Sequence, residues 1–347
     1  MTHVLEVRDL RVEAATQSAD LLLVDGADLR VARGEIVGVV GESGCGKSTL
    51  VRTLIGMLES NVEVTAGEVS LLGDTVLAPG RDTTARIRGS KVGTVFQDAA
   101  RSLDPLFKIR FQLREVLARH LPDLTAEQAA DRMAAVLRRM GIDEVDRVLD
   151  SHPHQLSGGL RQRVAIAIAV ITDPALVLAD ECTTALDVTT QAEVVSLFRD
   201  LVRDTGVGLV FITHDLLLAS DLCDRIAVMY GGQVVETGPT AEVLENPRHP
   251  FTAGLLASVP SWSAEGPLVG IPGSAPRVTT EFRGCRFADR CARVSDRCRD
   301  DVGWTGGRED GVRCVHPLDG TADRAHDAAG SVPAAGKEEL MAEEERR

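Results

Sequence analysis

Glu35-Ile-Val-Gly-Val-Val-Gly41-Glu-Ser-Gly-Cys-Gly46-Lys47-Ser48-Thr49 is the stretch on which the fold turns. Its opening run, Glu35 to Val40, predicts a buried strand that feeds straight into a glycine-rich turn. Residues 41–48 then fit G-x-x-x-x-G-K-[ST], with a strand before and a helix after, as that motif requires. The glycines let the backbone curl until several N–H groups point inward, and the positive end of the following helix adds to them, so a triphosphate can exchange its water shell for protein donors. Lys47 is placed to reach the β and γ phosphates and Ser48 to hold Mg²⁺. Gly41, Glu42, Ser43, Gly44, Cys45, Gly46 and Thr49 complete the cradle. A chance glycine-rich turn would not supply Lys and Ser at these two positions.

Working outward, short β runs are expected at Leu5 to Val7, Leu21 to Val24 and Val69 to Leu72, which with the buried strand suggest a mixed sheet. The residues from Ala126 to Met140 have the spacing of an amphipathic helix. A second helix follows Ser157, and its VAIAIAVI run predicts burial on most sides. Buried strands recur at Ala175 to Ala179 and Val207 to Ile212 around a helical Gln191 to Arg203, the alternation of a parallel α/β sheet. Arg225 to Tyr230, Gly231-Gly232 and Gln233 to Glu236 read as a hairpin.

A phosphate loop needs a second metal contact and a group that orients water. Leu176-Val-Leu-Ala-Asp180-Glu181 supplies an apolar strand ending in two acids. Asp180 can bind magnesium directly or through water, and Glu181 can align or deprotonate the attacking water.

Bulk properties narrow the class. The 347 residues are 44% hydrophobic, enough to bury a core, and carry a formal charge of -14, which opposes nucleic acid as a partner. No run approaches the roughly 18 apolar residues of a membrane span, and MTHVLEVRDL lacks the basic and apolar regions of a secretion signal. Seven cysteines without such a signal suggest reduced thiols or metal ligands.

Leu156-Ser157-Gly158-Gly159-Leu-Arg-Gln162 places Ser and two glycines at a helix start, a second backbone site for an anion. With it, the chain resembles the ATP-binding subunits of ABC transporters, whose LSGGQ-type signature lies between the phosphate loop and the strand ending in Asp-Glu. The resemblance implies a P-loop NTPase α/β core with a mixed β subdomain and a helical signature subdomain at about 98–172. It also implies that two subunits pair head to tail, with Ser157, Gly158 and Gly159 closing on the partner's nucleotide. Gln97 would sense Mg²⁺ and water and link to the membrane subunits, Asp187 would contact the opposing subunit, and His214 would hydrogen-bond the γ-phosphate.

Asn246-Pro-Arg-His-Pro-Phe-Thr-Ala-Gly-Leu-Leu-Ala-Ser-Val-Pro260 and Gln97-Asp-Ala-Ala-Arg-Ser-Leu-Asp-Pro105 are similar to segments of the oligopeptide, dipeptide and nickel importer ATPases. The resemblance divides the chain into a cassette at 1–245, an extension at 246–317 and an acidic tail at 318–347 that is expected to be disordered. It implies ATP hydrolysis coupled to solute uptake on the cytoplasmic face of the membrane. The implied partners are two permease subunits, a second ATPase in a heterodimer and, indirectly, an extracytoplasmic solute-binding protein. The extension's Cys285, Cys291, Cys298 and Cys314 form a candidate Cys₄ site. Their irregular spacing lacks the CxxC pairs of zinc ribbons, the resemblance favours a structural [4Fe–4S] cluster, and four packed reduced thiols remain the alternative.

Four departures from the family pattern stand out. Residues 1–95 contain no Phe, Trp or Tyr, so the usual adenine-stacking ring is missing and aliphatic or Arg surfaces around Arg11 to Leu23 must replace it. Cys182 stands where a proline is usual after Glu181, freeing the local backbone. Leu160 replaces a common Gln or Met, and Ala99 a Pro. Cys45 is either a reactive thiol at a helix N-terminus or a buried inert one. Two rival readings share the motifs: an ABC ATPase acting on nucleic acid or ribosomes, opposed by the acidity, and a catalytically inactive regulatory cassette, opposed by Glu181 and His214.

Overall fold

The computed structural model of the chain describes residues 3–17, 19–184, 186–259 and 270–319. In chain order the N-terminal part holds β1 (His3–Ala14), β2 (Leu21–Ala32), β3 (Ile36–Val40), α1 (Lys47–Leu54), β4 (Val62–Leu71), β5 (Asp74–Ala78), β6 (Arg81–Asp82) and β7 (Val92–Val95). A helical region follows: α2 (Ala99–Ser102), α3 (Ile109–His120), α4 (Ala126–Arg139), α5 (Val145–Asp150) and α6 (Gly158–Val170). The cassette closes with β8 (Leu176–Asp180), α7 (Val188–Thr205), β9 (Gly208–Thr213), α8 (Leu216–Leu222), β10 (Arg225–Tyr230), β11 (Gln233–Pro239) and α9 (Thr240–Glu245). The extension contributes α10 (Pro250–Ala257), β12 (Thr305–Gly306) and β13 (Gly311–Val312).

The strands form two sheets. One is antiparallel, in the order β2-β1-β4-β5-β6, and the other runs β12-β13-β11-β10-β3-β9-β8-β7. In the larger sheet β10, β3, β9, β8 and β7 are parallel, and β11 and β13 close its other edge in antiparallel pairing. The sequence-based expectation of one mixed sheet in the first third is thereby corrected. The strands flanking β3 pair among themselves, while β3 leaves them for the larger sheet, because a strand apolar on both faces is stable only between two cores. Val37 and Val39 enter the core shared with β1, β2 and α1, whereas Ile36 and Val40 enter the core shared with α3, α4, α6 and α7.

The helix after Ser157 is buried as its apolar run predicts. Its approach to the sheet is set by Gly93 of β7, where any Cβ would collide with the Ala169 carbonyl of α6. The expected hairpin forms as β10 and β11. The α4 helix starts at a reciprocal cap between Thr125 and Gln128.

The segment 246–259 is an anchor. Buried Glu236 on β11 accepts the backbone N–H groups of Arg248 and His249, and His249 Nδ1 accepts the N–H of Phe251 at the start of α10. Tyr230 of β10, Phe251 and Phe287 pack tilted and edge-to-face with ring centroids 4.5–5.5 Å apart, joining cassette to extension. Leu318 is buried and donates its N–H to the Arg248 carbonyl. The rest of the acidic tail, 320–347, lies outside the described residues.

The His249 anchor carries a pH signature. Burial lowers its pKa from 6.5 to about 3, so the folded chain holds it neutral. Because the folded value lies below the unfolded one, the unfolded chain binds the extra proton first. The stabilisation is complete above about pH 6.5 and drains away as pH falls, by roughly 2 kcal/mol at pH 5. His249→Asn retains a cap acceptor without the titration. The difference in urea-unfolding free energy between wild type and this variant is expected to shrink by that amount from pH 7 to pH 5, and a pH-independent difference would refute the assignment.

Candidate nucleotide site

Residues 41–46 turn between β3 and α1, with Gly44 and Gly46 in left-handed conformations (φ 78° and 102°). Gly46 packs so closely beneath β2 that a Cβ would lie 2.5 Å from the Leu23 carbonyl oxygen. Lys47 is buried, with Nζ donating to the carbonyls of Gly41 (2.9 Å) and Glu42 (3.0 Å) and lying 3.7 Å from Glu181 Oε1. Its ammonium is thus folded back on the loop and can trade those carbonyls for phosphate oxygens.

Ser48 Oγ donates to Asp180 Oδ1 at 3.0 Å across the gap between α1 and the end of β8. Burial raises the Asp180 pKa, opposed by the Ser48 hydrogen bond and reinforced by the Glu181 charge. Two oxygen donors, one a buried carboxylate that gains from a nearby cation, fit Mg²⁺, which takes few protein oxygens and keeps several waters.

Glu181 follows with a left-handed backbone (φ 44°), a strained conformation for a residue with a side chain. Its N–H donates to the Ile212 carbonyl of β9, and its own carbonyl accepts from Thr184. The turn aims the carboxylate at the loop: Oε2 accepts from Gln97 Nε2 at 3.1 Å, and Oε1 lies 3.7 Å from His214 Nδ1. The strand ends of β7, β8 and β9 therefore bring Gln97, Glu181 and His214 to one point. Cys182 is buried in the core with its pKa pushed up to about 12 by burial, so packing holds this turn where the family usually has a proline ring. Cys45 is likewise buried, with its thiol pKa raised by burial against the opposing Lys47 charge. Burial and the raised pKa both favour the inert reading of this thiol.

A cavity of about 380 Å³ is lined by Ser43, Gly44 and Gly46 to Thr49 of the phosphate loop, by Gln97 and Glu181, by Leu21 to Leu23 of β2 and by the Gly231-Gly232 turn. Its remaining wall, Pro276 to Val278, comes from the extension, which sequence reasoning did not place there. Ser157, Gly158, Gly159 and Asp187 do not line it. Ser157 caps α6 by accepting the Leu160 N–H, and Asp187 caps α7 by accepting from Thr190 N–H and Oγ1, which lowers the Asp187 pKa. Arg11, a candidate base contact, is instead paired with Glu13 at 2.7 Å.

Sequence reasoning also missed a clasp. Arg290 donates to both carboxylate oxygens of Glu42, the second residue of the phosphate loop, at 2.8 and 2.9 Å, and also to Tyr230 Oη and to the carbonyls of Pro272 and Ile271. No local pattern marks a partner 248 residues away. The four extension cysteines form no disulfide and line one small cavity of about 10 Å³ beside His249 and His316. Burial raises the pKa values of Cys285 and, to about 11, Cys314, whose cysteine neighbours add to the effect. Among the described residues no group of three or more His, Cys, Asp or Glu side chains is set to hold a metal ion, and no helix is long and apolar enough to cross a membrane.

Comparison with known proteins matches this geometry. Residues 24–184 match the ABC transporter family, and residues 235–298 match the oligopeptide/dipeptide transporter C-terminal region. The chain is 37% identical to the probable D,D-dipeptide transport ATP-binding protein DdpD of Escherichia coli K12, over 90% of this chain and 95% of that one. It is 38% identical to the oligopeptide transport ATP-binding protein AppD of Bacillus subtilis, over 88% and 92%. Among solved structures, cbiO1 of Clostridium perfringens aligns with a TM-score of 0.60 at 26% identity, covering 70% of this chain and 91% of that one. A dimeric post-hydrolysis state of the cassette MJ0796 bound to ADP and Pi aligns at 0.59 and 29%, covering 68% and 98%. With the phosphate loop, the Asp180-Glu181 strand end and the C-terminal region all in place, the chain belongs to the ABC-transporter ATP-binding proteins of the oligopeptide/dipeptide type.

Proposed function

We propose that this chain hydrolyses ATP to drive uptake of peptides or related small solutes through separate permease subunits. The observation that carries the reading is the convergence of Lys47, Gln97, Glu181 and His214 on the phosphate loop of a chain of this family. Lys47 neutralises the β and γ phosphates. Ser48 and Asp180 would hold Mg²⁺, which when bound would supply charge stabilisation to the transferring phosphoryl group. Glu181, held between Gln97 and His214, accepts hydrogen bonds from the attacking water and takes its proton, and His214 donates to the γ-phosphate.

Ser157, Gly158 and Gly159 present an exposed helix N-terminus away from this chain's own cavity, which suits closure on the nucleotide of a second ATPase subunit, with Asp187 near the same seam. A heterodimer on two permeases, fed by an extracytoplasmic solute-binding protein, is the assembly we favour, peripheral on the cytoplasmic face. Exposed Leu106 (78%) and Phe107 (42%), just past the Gln97 segment, suit a permease contact. Co-expression with neighbouring permease genes tests the reading. Permeases that co-purify and stimulate Mg²⁺-dependent ATP hydrolysis support it, whereas ATPase activity that follows ribosomes or nucleic acid instead would overturn it.

For the extension, a structural [4Fe–4S] cluster on Cys285, Cys291, Cys298 and Cys314 remains our reading. Four cysteines without a disulfide on one cavity support it in ligand kind and number, and since no three of them are set to hold a metal ion in this arrangement, they would have to rearrange to admit the cluster. Anaerobically purified protein should carry about four iron and four sulfide per chain; colourless, iron-free protein with zinc would sink the idea.

A further inference from the structure

A triphosphate whose γ end meets Lys47, Gln97 and Glu181 must run its ribose and base onto the rest of the same cavity lining, and no aromatic residue is among that lining. What is there instead is Leu21 and Leu23 of β2 and, facing the cavity from the extension, Pro276 and Arg277. We propose that the extension supplies the nucleobase wall of this site, with the base lying between the aliphatic Leu21 and Leu23 surface and the Arg277 guanidinium. The proposal rests on the ATP-binding reading and adds the residues that hold the base.

Backbone pairing fixes the wall in place. Leu22 donates to the Val278 carbonyl at 2.9 Å, Thr280 donates to the Asp20 carbonyl at 3.2 Å, and Leu21 bridges Thr279 in antiparallel fashion. Val278 is buried, so the segment is seated and not lying loosely on the surface. A second tie lies behind it. Arg286 donates to Asp25 at 2.5 Å and to the Gly231 carbonyl, Asp25 N–H reaches the Gly232 carbonyl, and Gly232 N–H reaches the Cys45 carbonyl inside the phosphate loop. The base wall and the phosphate cradle are thus parts of one hydrogen-bonded frame.

Arg277 itself is exposed and, among the described residues, makes no hydrogen bond or ion pair. A planar guanidinium on a fixed backbone, with no protein acceptor, can stack on a π-face. Neither it nor a leucine side chain reads the purine edge, so adenine and guanine should be held alike.

Equilibrium binding of MgATP, MgGTP and magnesium tripolyphosphate to the full chain tests this, comparing wild type with Arg277→Ala and Arg277→Tyr. Arg277→Ala is expected to weaken ATP and GTP by about fivefold each, leave tripolyphosphate unchanged and leave the thermal midpoint in place, and Arg277→Tyr should restore purine binding. Unchanged ATP binding in Arg277→Ala would overturn the proposal. An equal loss of tripolyphosphate would also overturn it, by making Arg277 a phosphate contact. Wild-type protein that binds neither ATP nor tripolyphosphate would instead bring down the nucleotide reading on which the proposal stands.

Discussion

Glu181→Gln is expected to lower ATP turnover by about 100-fold or more while leaving ATP affinity within about threefold. The glutamine amide matches the carboxylate in shape and can still accept from Gln97 Nε2, which lies 3.1 Å from Glu181 Oε2 in the wild type. What it cannot do is take a proton. The loss should therefore fall on the hydrolytic step and not on binding, whose contacts are made by the loop and Lys47. Phosphate release and equilibrium nucleotide binding, measured on the same preparation with its permeases, separate the two. Turnover equal to wild type would remove Glu181 from the chemistry and recast the chain as a regulatory subunit beside an active partner.

Arg290→Met should be the most destabilising single change at the seam between cassette and extension. The Arg290 side chain is 7% exposed and Glu42 26%, so removing the cation strands a half-buried carboxylate in the phosphate loop. Loss of one member of a buried pair costs about 3–5 kcal/mol, and the partial exposure of Glu42 brings the expectation to about 2–3 kcal/mol, a fall in melting temperature of roughly 5 °C or more. The Glu42 carbonyl also accepts from Lys47 Nζ, so a loosened loop should bind ATP less tightly. Adding Glu42→Gln to Arg290→Met should recover part of the stability, because the stranded charge is then gone. A melting temperature that does not move in Arg290→Met would show that the clasp contributes nothing.

The core chemistry was legible because it is local. A phosphate loop, a strand ending in Asp180-Glu181 and a capped glycine pair at Ser157 each declare themselves within ten residues, and hydrophobic period places them on strands or helices. Gln97 and His214 were reached through the family resemblance, and the fold sets them just past the C-terminal ends of the parallel strands β7 and β9. Three things escaped. The departure of β3 from its neighbours depends on which strands pair, and both arrangements bury the same residues. The clasp of Arg290 on Glu42 and the tie of Arg286 to Asp25 join residues more than 240 positions apart, and one arginine among many in an extension carries no signal of its partner. The missing aromatic did point to a gap in the base pocket and to surfaces anywhere from Arg11 to Leu23, but the pairing of Leu22 with Val278 that fills the gap exists only in three dimensions.

The Arg290–Glu42 clasp sets a clock for synthesis. At about 5–20 residues per second, a ribosome needs on the order of 10–50 s to travel from Glu42 to Arg290. Through that interval the nascent cassette holds a phosphate loop without its Arg290 clasp, and β11, paired on one side with β10, keeps its outer edge open until Val312 has also emerged. An edge strand left open for that long invites pairing with another chain. The demand for chaperone protection should accordingly be greatest after the cassette is made and before its last hundred residues are finished, and slow codons in that stretch would lengthen the exposure.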